Sequence, residues 1–197
     1  PIVVCIDESS SMEGEREIWA KAVALALLKI AQKERRAYTL IRFNRNAEEP
    51  IYFHPKKRIL PSKIMEVFSG FLSGGTSFEE PLKTALNVIQ DHKTYKRADV
   101  IFITDGECVV SEEFKYHFTD IKSKKNISVI TILIPLSPLL TWMDTVPSSS
   151  FLSSPWYTAF STMGCIIILI ILHSPRSGSM SISDFIFPSN RISIILR

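Results

Sequence analysis

The sequence is poor in cysteine: only Cys5, Cys108 and Cys165 occur, and none stands in a C-x-x-C pair. That argues against a disulfide scaffold and a structural zinc site. It fits a reducing compartment, and a cytoplasmic location is expected. No block of Lys and Arg is present, and the net charge is only +3, so a nucleic-acid footprint is not expected. There is no G-x-x-x-x-G-K-[ST] loop and no G-x-S-x-G elbow, which argues against a P-loop ATPase and an α/β-hydrolase. No secretory leader is visible, since the chain passes from Pro1 straight into an apolar run.

What the 197 residues do contain is enough apolar material for a core: 46% hydrophobic and 10% aromatic, against 22% charged. Charge is unevenly placed. Of 23 basic and 20 acidic residues, only five lie in 135–197: Asp144, Arg176, Asp184, Arg191 and Arg197. No Lys follows Lys125 and no Glu follows Glu113, while this last stretch holds 14 Ser and six Pro. A folded surface carries more mixed charge than that. The chain therefore divides into residues 1–134 and a low-charge tail, 135–197. The tail admits three readings: a membrane segment through 156–172, a buried strand at Cys165–Leu172, or sequence that did not evolve with this fold, such as a frame-shifted end. The third is preferred. The membrane reading is disfavoured because the strongly apolar core, Met163–Leu172, is about half the roughly 20 residues that a span needs.

Residues 1–134 alternate strand and helix. Ile2–Ile6 is a continuous apolar run, as a strand buried on both faces would be. Glu15–Lys33 reads as a helix, acidic at its start and basic at its end, and apolar nearly all round over Ala20–Ala31. Strands are expected at Ala37–Phe43, at Asp99–Thr104 and at Ile127–Ile134, with a short edge strand at Pro50–His54. Helices are expected at Pro61–Phe71, at Phe78–Gln90 behind a Ser77–Glu80 capping box, and at Ser111–Lys124. This order predicts a three-layer α/β/α Rossmann-like sandwich with a mainly parallel central sheet.

Three polar clusters fall where such a sheet binds ligands, beyond the carboxyl ends of its strands. They are Asp7-Glu8-Ser9-Ser10-Ser11 after the first strand, Gly74-Gly75-Thr76 before the third helix, and Thr104-Asp105-Gly106 after a later strand. Each alone reads as an ordinary turn or helix cap. From them two carboxylates and three hydroxyls could converge on one point, all oxygen donors suited to a hard cation such as Mg²⁺.

In this order the residues resemble the metal-ion-dependent adhesion site of von Willebrand factor A (VWA) domains, over residues 1–134. The stretches Ile18–Ile30 and Arg35–Phe43 are similar to the intracellular prokaryotic CoxE/ViaA-type subgroup. The resemblance implies that Ser9, Ser11 and Thr76 ligate Mg²⁺ or Mn²⁺ through their hydroxyls. Asp7 and Asp105 would act largely through waters, and an Asp or Glu of a protein partner would complete the site. It also implies a partner of the MoxR-type AAA+ ATPase class. Two departures stand out: Ser10 replaces the Gly that many members have between the two serines, and the tail does not resemble the usual closing helix and strand, so the domain is expected to be incomplete there.

The functional expectation is a metal-dependent interaction module, not an enzyme. Two alternatives are a binding domain tethered through 156–172 and Mg²⁺-dependent phosphoryl transfer. Against the latter, Asp7 is followed by Glu-Ser, not by Asp-x-Asp, and His54, His92, His117 and His173 all lie outside the three clusters. Cys108 has no neighbouring base in sequence. Glu107 and Lys56–Arg58 read as solvated.

Overall fold

The computed structural model describes residues 1–91, 97–106, 108–134 and the strand 166–169. Six strands form one sheet: β1 (Ile2–Asp7), β2 (Tyr38–Phe43), β3 (Ile51–Phe53), β4 (Ala98–Thr104), β5 (Ile127–Leu133) and β6 (Ile166–Leu169), in the order β3-β2-β1-β4-β5-β6. All neighbours are parallel except β2 and β3. The antiparallel exception sits at one edge, where Pro50 precedes β3 without interrupting a central ladder.

The helices are α1 (Glu15–Lys33), α2 (Pro61–Phe68), α3 (Glu79–Asp91) and α4 (Glu112–Lys124). They divide between the two faces, giving the three expected layers. One core joins Ala20, Ala24 and Leu28 of α1 and Val67 of α2 to Ile2, Val4, Ile6 and Leu40 of the sheet. The other joins Leu82, Leu86 and Ile89 of α3 and Phe114 and Phe118 of α4 to Val3, Cys5, Phe43 and Phe102. Alternate residues of β1 serve opposite cores, as a pleated strand buried on both sides requires. Behind the carboxyl end of the strands, Phe43, Phe78 and Phe102 pack as a triad, with Phe102 4.9 Å from Phe43 and 5.1 Å from Phe78 between ring centres.

The first helix departs from expectation in one respect. Its buried stripe is narrow and mostly alanine, Ala20, Ala24 and Ala31 with Lys21 and Leu28, which lets it lie close on the sheet. Ile18, Trp19 and Ile30 face outward and are 66%, 45% and 46% exposed. An apolar residue on every side of a helix thus marks two faces here, of which the sheet covers one. The second helix stops at Phe68, three residues short of expectation, and the chain turns away through Gly70, whose carbonyl accepts a hydrogen bond from Lys21 Nζ at 2.6 Å. At the expected capping box, Glu80 is engaged by Lys83 Nζ at 3.1 Å. Ser111 caps α4 by accepting from Phe114 N–H at 3.3 Å.

In the tail, Ile166–Leu169 pairs in parallel with Ile130–Leu133 of β5, inside the run Cys165–Leu172. The rest of 135–197 lies outside the described residues, as do His92 and Glu107. Among the described residues no helix is long and apolar enough to cross a membrane.

Candidate metal centre

The strand order creates the site. From β1 the chain runs outward to β2 and β3, then returns to place β4 on the other side of β1. The carboxyl ends of β1 and β4 therefore flank a topological switch point, where connections leave in opposite directions and a crevice opens. Asp7 is the last residue of β1, and Asp105 follows the last residue of β4.

Asp7 is fully buried. Its Oδ1 accepts from Ser9 N–H at 2.9 Å and its Oδ2 from Thr104 Oγ1 at 2.6 Å. Thr104 Oγ1 in turn accepts from Gly106 N–H at 3.1 Å, so the two strand ends are joined through one hydroxyl. Gly106 has φ +97°, a conformation that glycine adopts without steric cost and that lets the chain fold back at this point. Burial pushes the Asp7 carboxyl above its ordinary range; the hydrogen bonds from Thr104 and Ser9 oppose this, and repulsion from Asp105 adds to it. Ser9 Oγ and Ser11 Oγ lie 3.1 Å apart, across the start of the helical turn Ser10–Met12.

The third cluster is held against the first by Ser10. Its N–H donates to Gly74 O at 2.9 Å, its Oγ accepts from Gly74 N–H at 2.8 Å, and the same Oγ lies 3.0 Å from Ser73 Oγ. The side chain that replaces the more usual glycine is thus a tie between loops. Asn44, just beyond β2, holds the same segment through Ser73 O and Ser77 N–H. Thr76 lies between these anchors, and its carbonyl accepts from Cys108 Sγ at 3.7 Å. Burial pushes the half-buried Cys108 thiol up, which disfavours its thiolate form.

Asp105 has two differently employed oxygens. Its Oδ2 pairs with Arg16 Nη1 at 2.6 Å, with the two side chains 4% and 17% exposed. Its Oδ1 is buried and has no hydrogen-bond partner. An unsatisfied carboxylate oxygen away from water costs free energy unless something is bound to it. Together with the repulsion between Asp7 and Asp105, this fits a cation. The donors are carboxylates and hydroxyls, and among the described residues no group of three or more His, Cys, Asp or Glu could hold a metal by itself. Such a donor set suits a hard dication that keeps part of its water, and not zinc.

Two groups at the site escaped sequence reasoning. One is Arg16. The other is Glu8, whose carboxylate is 1% exposed and accepts from Arg42 Nε at 3.0 Å and Nη2 at 2.6 Å, with Lys21 Nζ 4.0 Å away. Lys21 also pairs with Glu17 and binds Gly70 O. A Cβ at Gly70 would come within 3.3 Å of Arg42 Nη2, so glycine lets the chain pass close to the guanidinium on its way to Thr76. The period-2 pattern held a signal. Glu8 continues the parity of Val4 and Ile6, Arg42 that of Tyr38 and Leu40, and Ile6 is in register with Arg42. A charge of each sign on the same buried face of adjacent strands is a pairing waiting to be read.

The fold is thus a doubly wound α/β domain that gathers hydroxyl and carboxylate donors at its switch point. The family model for the von Willebrand factor type A domain matches residues 2–107, and the chain belongs to that family. It is 38% identical over 141 residues to the uncharacterised protein MJ0811 of Methanocaldococcus jannaschii, covering 72% of this chain and 32% of that protein. It is 33% identical over 108 residues to the regulatory protein ViaA of Proteus mirabilis, covering 53% of this chain and 21% of ViaA. The fold is similar to the SpRpn10 VWA domain, with a TM-score of 0.52, 18% identity and 89% of each chain covered. Within the family the chain thus resembles ViaA-type proteins, and it spans about a third of the length of the first of these relatives.

Proposed function

We propose that this domain is a metal-dependent protein-interaction module without catalysis of its own. Ser9, Ser11 and Thr76 would hold Mg²⁺ or Mn²⁺ through their hydroxyls, with Asp7 and Asp105 acting largely through waters. The ion supplies an electrophilic centre for one Asp or Glu carboxylate of a partner protein. The observation that carries this reading is the buried, unpartnered Asp105 Oδ1 beside a second buried carboxylate. The protein's own residues do the positioning. Thr104 and Ser9 fix Asp7, Arg16 fixes one oxygen of Asp105, and Ser10 holds the Thr76 loop against the Ser9 loop.

The similarity to the regulatory protein ViaA supports an adaptor role; the partner proposed is a MoxR-type AAA+ ATPase, as the resemblance of Ile18–Ile30 and Arg35–Phe43 to the CoxE/ViaA-type subgroup implies. The test is co-purification of the protein with such an ATPase in Mg²⁺ and in EDTA, beside Asp105→Ala. Association that requires both Mg²⁺ and Asp105 supports the reading. Association indifferent to both removes the metal from it, and no association removes the partner class.

A further inference from the structure

Resting on the metal reading above, we propose that Arg16 is the residue that makes the loaded site select an anionic partner. The argument is one of charge. Asp7 and Asp105 supply two negative charges. A dication held between them with only neutral hydroxyls besides would be balanced, leaving little drive toward a further anion. Arg16 shifts that balance. It reaches from the first turn of α1 to Asp105 Oδ2 at 2.6 Å, and its side chain keeps 17% of its surface open to solvent. Of the other cations near the ends of β1 and β2, Arg42 is committed to Glu8 and Lys21 to Glu17 and Gly70 O, while the Arg45 guanidinium lies against Gly75 and pairs with neither Asp7 nor Asp105. With Arg16 in place the loaded site carries one net positive charge, and a single carboxylate neutralises it.

The geometry adds direction. Arg16 engages one oxygen of Asp105, while Oδ1 is buried without a hydrogen-bond partner. A guanidinium is a planar fork with donors to spare, so one edge can hold Asp105 while the remaining N–H groups meet an incoming carboxylate. The same positive charge repels a metal ion. Arg16 should therefore have opposite effects on the two ligands, weakening the metal's hold and strengthening the anion's. A residue with a merely structural role would move both in the same direction.

The experiment measures Mn²⁺ affinity by electron paramagnetic resonance, and then acetate binding to the Mn²⁺-loaded protein by water-proton relaxation at constant ionic strength. The wild type is compared with Arg16→Gln, Arg16→Met, Arg16→Lys and Asp105→Ala. The expected result is that Arg16→Gln and Arg16→Met bind Mn²⁺ roughly fivefold more tightly and acetate roughly fivefold more weakly. Arg16→Lys, which keeps the charge, stays near wild type in both. The Gln and Met variants remove the charge with side chains of different polarity, so one that fails to fold does not decide the matter. Mn²⁺ and acetate affinities that both fall in either folded variant, or both stay unchanged, overturn the assignment of Arg16 while leaving the metal site standing. Absence of Mn²⁺ binding in the wild type overturns the metal reading and this inference with it.

Discussion

Replacing Glu8 by Gln should be among the most damaging single changes near the site, although Glu8 is not a candidate ligand. Its carboxylate is 1% exposed and faces Arg42 and Lys21, whose side chains are 16% and 11% exposed. Gln preserves the shape and can still accept one hydrogen bond, so the change isolates the charge. Removing one partner from a buried ion pair costs about 3–5 kcal/mol, because the other charge is left without compensation. Here Lys21 keeps Glu17 and Gly70 O, and Arg42 keeps some access to water, so about 2–4 kcal/mol is expected. Urea unfolding in EDTA would measure it, as a lower midpoint at an unchanged slope. The double variant Glu8→Gln, Arg42→Gln supplies the control, since removing both charges should recover about 1–3 kcal/mol relative to the sum of the single changes. A Glu8→Gln cost below about 1 kcal/mol, or strict additivity in the double variant, would refute the reading of Glu8 and Arg42 as buried charges that compensate each other.

Three further outcomes follow from the same contacts. Ser10→Ala removes the side-chain tie to Gly74 and Ser73 at an exposed position; it should cost about 0.5–1.5 kcal/mol in urea unfolding and weaken Mn²⁺ binding severalfold in a metal titration. Asp7→Asn should stabilise the metal-free protein at neutral pH. The folded carboxyl sits above its unfolded value, so its contribution is complete below about pH 4 and is lost as pH rises through the folded pKa. The Asn variant lacks that loss, and urea midpoints in EDTA should diverge from wild type as pH increases. Phe102→Ala opens the ring triad and should cost about 3–5 kcal/mol, read from the same unfolding curves.

Much of this architecture was legible in the residues. Continuous apolar runs at Ile2–Ile6 and Asp99–Thr104 announced strands buried on both faces, and the polar clusters following them marked the carboxyl edge of the sheet. The bounds of α1 were readable because its acidic start and basic end agree with the helix dipole. What stayed hidden depends on contacts between distant residues. Arg16 and Asp105 are 89 positions apart, and nothing local distinguishes Arg16 from the other charges in the first turn of α1. The outward apolar face of α1 was hidden for a related reason: a helix with apolar residues all round does not say which side the sheet will cover. Ser10 illustrates a different limit. A serine in place of glycine read only as a departure from the family pattern, whereas the structure uses its hydroxyl to join two loops.

The central claim is that Asp7, Ser9, Ser11, Thr76 and Asp105 form a working metal site. It is tested most directly by thermal unfolding of the purified chain with Mg²⁺, with Mn²⁺ and with EDTA, beside Asp105→Ala. An ion that binds only the folded state raises stability by mass action, by about 2.7 kcal/mol at a hundredfold excess over its dissociation constant. The account predicts an upward shift of the transition with either ion in the wild type and none in Asp105→Ala. A cooperative transition in the wild type that neither ion moves, or a shift that survives in Asp105→Ala, would contradict it.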